Sequence, residues 1–210
     1  TGVQTCALPI YGQSRQDRPF TLVHIGSLYE RRGIMTMLQA LVLLKQKGYF
    51  PRLILGGVFE SVLFRDRVDA FIQENGLSGQ VRIFGWIGYR DIRSYLEQSD
   101  AVWLPLHPTA QYARESVCTK QVEAMVAGLP AIVSDIPSLT RFVQASRGGL
   151  VVSPLDPAAH AGAVQWLMDH PKEARDMGIR AGKMARERYV WQQEAPMLTA
   201  FYDALLVRVP

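Results

Sequence analysis

Short apolar segments that end at a glycine, a proline or a polar residue alternate with longer segments of helical periodicity from residue 20 onward. Short apolar runs are typical of buried strands, and apolar residues recurring every three or four positions are typical of helices. The pattern predicts strands at residues 20–25, 53–55, 81–84, 101–104, 131–133 and 149–152. It predicts a loop between residues 105 and 118, and helices at residues 33–48, 62–74, 89–98, 119–127, 137–144, 157–169, 171–189 and 191–207.

Strands that are apolar throughout and separated by helices are expected in a parallel sheet covered on both faces. The predicted fold class is therefore α/β, a Rossmann-like doubly wound parallel sheet of about six strands with C-terminal helices. Such sheets bind ligands at the carboxyl ends of their strands. We expect the functional residues in the loops that follow Ile25, Leu55, Phe84, Leu104 and Val133.

The composition argues against several other classes of function. The 210 residues carry 23 basic and 19 acidic side chains, a net charge of +4 with the basic residues scattered, so nucleic acid is not an expected partner. This small excess suits an anionic small ligand. No stretch approaches about eighteen consecutive apolar residues, so no transmembrane helix is expected. No histidine or cysteine cluster has metal-ligand spacing, and the distant Cys6 and Cys118 suggest reduced thiols in a cytosolic setting.

The first candidate site is the turn between the first strand and the first helix, which starts at Gly26 and ends at Arg32 and Gly33. N–H groups at a helix start attract phosphate, and an arginine adds a planar charged group that suits a diphosphate. The glycine spacing does not match the G-x-G-x-x-G dinucleotide fingerprint, which disfavours nicotinamide cofactors. The turn alone favours the alternative, an ordinary connection with solvated arginines.

The second candidate site surrounds the predicted helix at residues 119–127. Thr119 and Lys120 stand at its start, where N–H groups and a cation would bind phosphate. Glu123 follows about one turn later on an apolar stretch, where a carboxylate needs a partner such as a ribose hydroxyl. In the alternative, Lys120 and the preceding Glu115 are solvated and Glu123 pairs with a basic neighbour. The residues alone leave both interpretations open.

Taken in order, these segments resemble the C-terminal, donor-binding domain of the retaining GT-B glycosyltransferases of family four, also called glycosyl transferases group 1. The family motif is a glutamate, seven residues, then glutamate-alanine-methionine, a small residue, glycine, a hydrophobic residue and proline. This chain has Glu115, seven residues, and EAMVAGLP at residues 123–130. Further matches over roughly residues 20–205 are Gly26, RGI at residues 32–34, FG at 84–85, SDAV at 99–102, LP at 104–105, GGLVV at 148–152 and YVW at 189–191.

The resemblance implies a role for each polar residue of the two candidate sites. Glu123 would bind the ribose of the donor nucleotide, and Glu115 would contact the hydroxyls of the donor sugar. Arg32 and Lys120, with the N–H groups of Thr119 and Lys120, would bind the diphosphate. Arg32, Lys120 and Glu115 would then form the catalytic set, with no metal and no cofactor besides the donor substrate.

The remainder of the implied donor site is main chain. The turn at Gly26 and Ser27 would lie against the phosphates, and the main chain at Trp86 and Ile87 would meet the base. Ser27 departs from the family pattern, because many members have arginine after the glycine. Lys120 is its expected substitute, since one branch of the family has lysine three residues before the second glutamate.

The predicted function is that of a glycosyltransferase donor-binding domain, which transfers a sugar from a nucleoside-diphosphate sugar to an acceptor with retention. The alternatives are a GT-B enzyme similar to nucleotide-sugar 2-epimerases and a non-catalytic nucleotide-binding module. The expected partners are the nucleotide-sugar donor and an absent N-terminal, acceptor-binding GT-B domain, without which the chain would be inactive. The expected location is cytoplasmic, with any peripheral contact to the inner membrane made through the absent half.

The chain is expected to divide into three unequal parts. Residues 1–10 resemble a translated sequencing-adapter tail of the kind found in metagenomic reading frames, and the alternative is a native linker. Residues 11–19 are expected to be a linker. Residues 20–210 would form the donor-binding domain.

The remaining polar and aromatic residues near these motifs are expected to have structural roles. His24 is predicted to be a core histidine, and His107 a solvated loop residue. Cys118 is expected to be small and buried rather than a ligand contact. Tyr189 and Trp191 are expected to pack against the domain.

Overall fold

The computed structural model describes residues 18–113 and 117–206 and has the predicted α/β architecture. Its strands are β1 (Thr21–Ile25), β2 (Arg52–Gly56), β3 (Val81–Phe84), β4 (Ala101–Leu104), β5 (Ala131–Ser134) and β6 (Gly149–Val152). Its helices are α1 (Ile34–Gln46), α2 (Val62–Glu74), α3 (Tyr89–Glu97), α4 (Ala110–Ala113), α5 (Thr119–Val126), α6 (Pro137–Ser146), α7 (Pro157–Asp169), α8 (Pro171–Arg188) and α9 (Trp191–Leu206).

The six strands form one parallel sheet in the order β3-β2-β1-β4-β5-β6. The chain moves outward from β1 to β3, crosses back to β4 beside β1, and then continues to the other edge. The strand order therefore reverses between β1 and β4. In sheets of this type, the loops that follow the two strands at the reversal diverge, and a ligand binds in the crevice between them. The turns after β1 and β4 therefore lie at the candidate site.

The four central strands, β2, β1, β4 and β5, are buried on both faces, as continuous apolar strands require. On one face Leu22 and Trp103 belong to an apolar cluster with residues of α1 and α7, and on the other Val23 and Val102 belong to a cluster with residues of α5 and α6. Each fully buried large apolar side chain contributes roughly 1.5–3 kcal/mol relative to an exposed one. The first face also encloses a polar contact, in which Trp103 Nε1 donates to His160 Nδ1 at 3.0 Å.

Two local predictions differ from the structure at the carboxyl edge of the sheet. A 3-10 turn at Glu30–Arg32 precedes α1, which begins at Ile34 because Gly33 adopts a left-handed conformation with φ of 74°. A Cβ at Gly33 would lie 2.0 Å from the carbonyl oxygen of Pro105, so only glycine allows the two segments to approach. The predicted loop at residues 105–118 contains α4, whose four residues are too few to show periodicity.

The C-terminal helices pack back onto the sheet and its helices. Gly178 of α8 lies against the turn between α5 and β5, where a Cβ would be 2.0 Å from the carbonyl oxygen of Gly128. Tyr189 packs on Phe142 with ring centroids 5.3 Å apart, which confirms its structural role. The expectation for Trp191 is wrong, because it starts α9 with 67% of its surface exposed. Within the described part of the chain, no helix has both the length and the apolar character needed to cross a membrane.

Candidate functional site

Gly26 begins the turn after β1 and is covered by the side chain of Lys120. Gly26 has φ of 148°, and a Cβ there would lie 2.1 Å from Lys120 Cε and 3.0 Å from Lys120 Nζ. Its N–H donates to the carbonyl of Gly56 at 2.7 Å, and a Cβ at Gly57 would be 1.9 Å from the carbonyl oxygen of Gly26. The turn after β1 is therefore bare main chain at Gly26, with the Lys120 side chain above it.

Arg32 reaches the same crevice from the end of the 3-10 turn. Its guanidinium carbon lies 5.1 Å from the ring centroid of Tyr112, and its Nε atom is buried without a hydrogen-bond partner. The turn is tied to the segment after β4, because the N–H of His107 donates to the carbonyl of Arg31 at 2.9 Å. Arg32 is thus half-buried, whereas the neighbouring Arg31 is exposed.

The electrostatics of this crevice favour an anion. Burial lowers the pKa of Lys120 below its ordinary value, and the positive charge of Arg32 lowers it further, while Cys118 and Glu123 oppose both effects. Neither Arg32 nor Lys120 forms an ion pair or a side-chain hydrogen bond within residues 18–113 and 117–206. Two neighbouring cations that form no salt bridge with a described residue repel each other, so a bound diphosphate would relieve that repulsion.

Helix α5 contributes its N-terminus and one carboxylate to the same region. It begins at Thr119 beside Lys120, and the first N–H groups of a helix have no partner within it. Glu123 is half-buried one turn further, and burial raises its pKa while the charge of Lys120 opposes the rise. Glu123 has no salt bridge among the residues that the structure describes, contrary to the alternative in which it pairs with a basic side chain. Hydroxyl groups of a ligand are suitable donors for such a carboxylate.

The structure describes the positions of some of the other predicted donor-site residues but not of all of them. Ser27 follows Gly26 at the crevice and is partly buried. The side chain of Ile87 lies over β2, since a Cβ at Gly56 would be 2.2 Å from Ile87 Cδ1. Trp86 projects outward with 83% of its surface exposed. Glu115 lies outside the described residues.

The histidines near the site are both more enclosed than a surface residue would be. His24 is fully buried, as predicted, and its Nδ1 donates to the carbonyl of Trp103 at 2.9 Å. Burial lowers the pKa of His24 to about 4, and the charges of Lys120 and Arg32 contribute to the shift. The prediction of a solvated His107 is wrong, because its Nε2 is buried without a partner and burial lowers its pKa. Cys118 is partly buried against the apolar cluster that contains Val23.

Sequence reasoning missed Tyr112, which contacts Arg32 from the segment predicted as a loop. No periodicity or cap marks this position. The only available signal was an aromatic residue a few positions after a strand that ends at the predicted ligand crevice. No group of three or more potential metal ligands occurs in the part of the chain that the structure describes.

The reversed strand order, with two cations at the reversal that form no salt bridge with a described residue, defines a Rossmann-like domain suited to a phosphorylated ligand. Residues 12–184 match the family described as glycosyl transferases group 1, and the chain belongs to that family. The match covers both candidate sites and confirms the resemblance identified from the motifs.

Known relatives agree with this assignment. The chain is 23% identical over 186 residues to an alpha-D-kanosaminyltransferase of Streptomyces kanamyceticus, covering 89% of this chain and 46% of that protein. It is similar to the Anabaena protein HepE crystallised with UDP and glucose, at 20% identity and a TM-score of 0.71, covering 86% of this chain and 48% of HepE.

One similar structure is itself a separate domain. The chain shares 16% identity and a TM-score of 0.71 with the C-terminal domain of a glycosyl transferase group 1 family protein, LpcC, from Francisella tularensis, covering 84% of this chain and 90% of that domain. By contrast, the chain spans about half the length of the curated relatives that it matches, between 42% and 47% for three of them.

Proposed function

We propose that this chain is the donor-binding half of a retaining glycosyltransferase and that the crevice between β1 and β4 binds a nucleoside-diphosphate sugar. The observation that carries the proposal is the pair of half-buried cations, Arg32 and Lys120, which lie at the strand reversal and form no salt bridge with any described residue. A diphosphate supplies two adjacent negative groups, and charge-assisted hydrogen bonds to it are among the strongest available to a protein.

The proposal gives each group around the crevice one part of the donor. Arg32, Lys120 and the N-terminal N–H groups of α5 bind the diphosphate, and Glu123 accepts hydrogen bonds from the ribose hydroxyls. The raised pKa of Glu123 supports this role, because burial without a donor disfavours its carboxylate and two ribose hydroxyls would compensate. The main chain at Trp86 and Ile87 contacts the base, and Gly26 and Ser27 adjoin the phosphates.

The chemical role of the two cations follows from the negative charge that develops on the diphosphate as it departs from the sugar. As the bond from the anomeric carbon to the phosphate oxygen breaks, negative charge accumulates on the departing diphosphate. Arg32 and Lys120 already lie in fixed positions where they stabilise that charge, which is the preorganised electrostatic form of catalysis. Glu115, by resemblance, contacts the transferred sugar, and the retention of anomeric configuration also rests on the resemblance.

A second domain completes the proposed enzyme. HepE and the kanosaminyltransferase are each about twice the span that this chain matches. In the proposed arrangement the acceptor binds in an N-terminal domain, and catalysis takes place between the two halves. We therefore expect the 210-residue chain to bind the donor but not to transfer sugar. The predicted cytoplasmic location, and peripheral membrane contact through the other half, remain part of this proposal.

Calorimetric titration of the chain with UDP, GDP, UDP-glucose and GDP-mannose tests the proposal, with NADH as a comparison ligand that should not bind. Saturable binding of one nucleoside diphosphate and its sugar supports the donor site. If none of them binds at millimolar concentration, the assignment of the crevice is wrong. Transfer of sugar by the chain alone would show that it needs no second domain, and a change of configuration at C2 of the donor sugar without acceptor would favour the 2-epimerase alternative.

A further inference from the structure

Tyr112 is almost completely enclosed, yet its hydroxyl group has no partner among the residues that the structure describes. It lies on α4 with 7% of its surface exposed, and its phenol oxygen is buried without a hydrogen bond to that part of the chain. Burial raises the pKa of Tyr112 above its ordinary value, although the charges of Arg32 and Arg31 oppose the rise. The ring therefore stays neutral over the physiological range and presents an ordinary aromatic face to its surroundings.

That face is directed at the guanidinium of Arg32, at a distance of 5.1 Å from the ring centroid to the guanidinium carbon. Cations within about 6 Å of an aromatic centroid are attracted by the electron density of the ring face. A guanidinium held in this way keeps its in-plane N–H groups free for a second ligand. Because Arg32 has no carboxylate partner among the described residues, the ring is the group that restrains its charged end.

Both residues are held in place independently of each other. The N–H of Tyr112 donates to the carbonyl of Thr109 at 3.0 Å, and the buried Ser138 hydroxyl donates to the carbonyl of Tyr112 at 3.0 Å. The turn that carries Arg32 is fixed against the segment after β4 by the close approach of Gly33 to Pro105. The contact between ring and guanidinium thus joins two anchored segments on opposite sides of the strand reversal.

We propose that Tyr112 is a positioning residue that holds the Arg32 guanidinium over the crevice so that its in-plane N–H groups meet the diphosphate of the donor. This inference rests on the proposed function. It assigns the effect of Tyr112 to its ring acting through Arg32, not to a contact between its hydroxyl and the ligand. A ring without the hydroxyl should therefore suffice, and the ring should matter only when Arg32 is present.

The binding test compares UDP and uridine, or GDP and guanosine if the guanine nucleotide binds, across five proteins. These are the unaltered chain, Tyr112→Phe, Tyr112→Leu, Arg32→Ala and the Arg32→Ala/Tyr112→Leu double variant. The expected result is nucleoside-diphosphate affinity near the unaltered value for Tyr112→Phe and about two- to thirtyfold weaker binding for Tyr112→Leu. In the Arg32→Ala background, Tyr112→Leu should change affinity no further, and nucleoside binding should be equal in all five.

Several results would overturn the inference. Tyr112→Phe could lose as much affinity as Tyr112→Leu, which would mean that the hydroxyl touches the ligand. Tyr112→Leu could weaken nucleoside binding as much as nucleoside-diphosphate binding, or it could weaken diphosphate binding as much in the Arg32→Ala background as in the unaltered chain. Either result would mean that Tyr112 has a general structural role. Binding that needs Arg32 but is indifferent to Tyr112→Leu overturns this inference alone, whereas no binding by the unaltered chain overturns the proposed function with it.

A second measurement does not depend on the stability of Tyr112→Leu. In ¹⁵N-labelled unaltered protein and Tyr112→Phe, the Arg32 Hε resonance, assigned by its loss in Arg32→Lys, should be shifted by the ring current and should exchange slowly with water. An Arg32 resonance with the shift and exchange of a solvated arginine in the unaltered protein would overturn the inference even if Tyr112→Leu failed to fold.

Discussion

The side chain of Lys120 crosses directly over the Cα of Gly26, so closely that a methyl group on Gly26 would lie 2.1 Å from Lys120 Cε. Lys120 stands at the start of α5 and Gly26 at the end of β1, and the contact brings the two candidate sites together. A glycine is required at this position for two reasons. A side chain would collide with Lys120, and the φ of 148° is one that other residues rarely adopt. The bare main chain and the cation above it define one site.

Gly26→Ala should therefore displace Lys120 and weaken the binding of nucleoside diphosphates by about tenfold or more, since a charge-assisted bond contributes roughly 1.5–3 kcal/mol. The backbone strain should also lower the free energy of unfolding by about 1–3 kcal/mol. Calorimetric titration and chemical denaturation measure the two effects separately.

Gly79→Ala is the matched control for Gly26→Ala, because a Cβ at Gly79 would meet no atom within 4 Å. It should leave both affinity and stability close to those of the unaltered chain. Normal nucleoside-diphosphate affinity in Gly26→Ala would mean that Lys120 does not need its observed position.

The lowered pKa of Lys120 predicts a pH dependence of binding. A bound diphosphate favours the charged form of Lys120, so affinity should be full at neutral pH and fall as pH rises through the lowered pKa, below the usual lysine range. Lys120→Arg should lose this component, because arginine stays charged throughout. Titration of the nucleotide base affects the binding to both proteins equally and therefore cancels in the comparison. Identical pH profiles for the two proteins would show that Lys120 does not titrate against the ligand.

The two buried histidines predict acid sensitivity of the fold. Burial lowers the pKa values of His24 and His160 from 6.5 to about 4, so the unfolded chain binds more protons between those pH values. Stability should be complete above pH 6.5 and decline toward pH 4, by about 3 kcal/mol for each histidine. Urea denaturation at several pH values should show the slope, and His160→Gln should reduce it by about half. A free energy of unfolding that is unchanged across this window would contradict the neutral, buried state of both residues.

Substitutions of the two motif glutamates should weaken the binding of different sets of ligands. Glu123→Gln should weaken UDP, uridine and the full donor alike, by about ten- to a hundredfold, because it is assigned to the ribose. Glu115→Gln should spare the nucleoside diphosphate and weaken only the sugar-bearing donor. Glu74→Gln, at an exposed position on α2, is the control for loss of one carboxylate.

The free energy of unfolding of Glu123→Gln distinguishes a ligand-binding role of Glu123 from a structural one. Burial disfavours the charged carboxylate, so Glu123→Gln should be at least as stable as the unaltered chain near neutral pH. If the substitution unfolds the domain, Glu123 has a structural role. If Glu115→Gln binds the intact donor normally, the role carried over from the family does not hold for this chain.

Much of the fold could be predicted because the strands are short, mostly apolar and end at a glycine, a proline or a polar residue. The motifs singled out Arg32 and Lys120, and in the structure Lys120 lies over Gly26 and feels the charge of Arg32; their role in donor binding stays a prediction. The contact of Lys120 with Gly26 could not be read from the sequence, because about ninety positions separate two residues that meet only through strand order.

The errors have a common physical origin. Tyr112 and His107 lie in a segment without periodicity, and Tyr112 is buried in an apolar cluster with residues of α5 and α6 that are distant from it in sequence. Trp191 was expected to pack because it is aromatic, yet it starts a helix whose exposed side chains include Phe201 and Leu206. Local patterns identify elements, but which face of an element is covered depends on contacts between distant segments.

The most direct test of the donor site is the binding of UDP and uridine to Arg32→Ala, Lys120→Ala and the double variant, with GDP and guanosine used if the guanine nucleotide is the ligand. Lys172→Ala, at an exposed position on α8, serves as the control for loss of one positive charge. Each single variant should weaken diphosphate binding by about ten- to a hundredfold, the double variant should weaken it further, and nucleoside binding should stay unchanged. Equal losses for diphosphate and nucleoside, or none for either, would contradict a diphosphate site formed by Arg32 and Lys120.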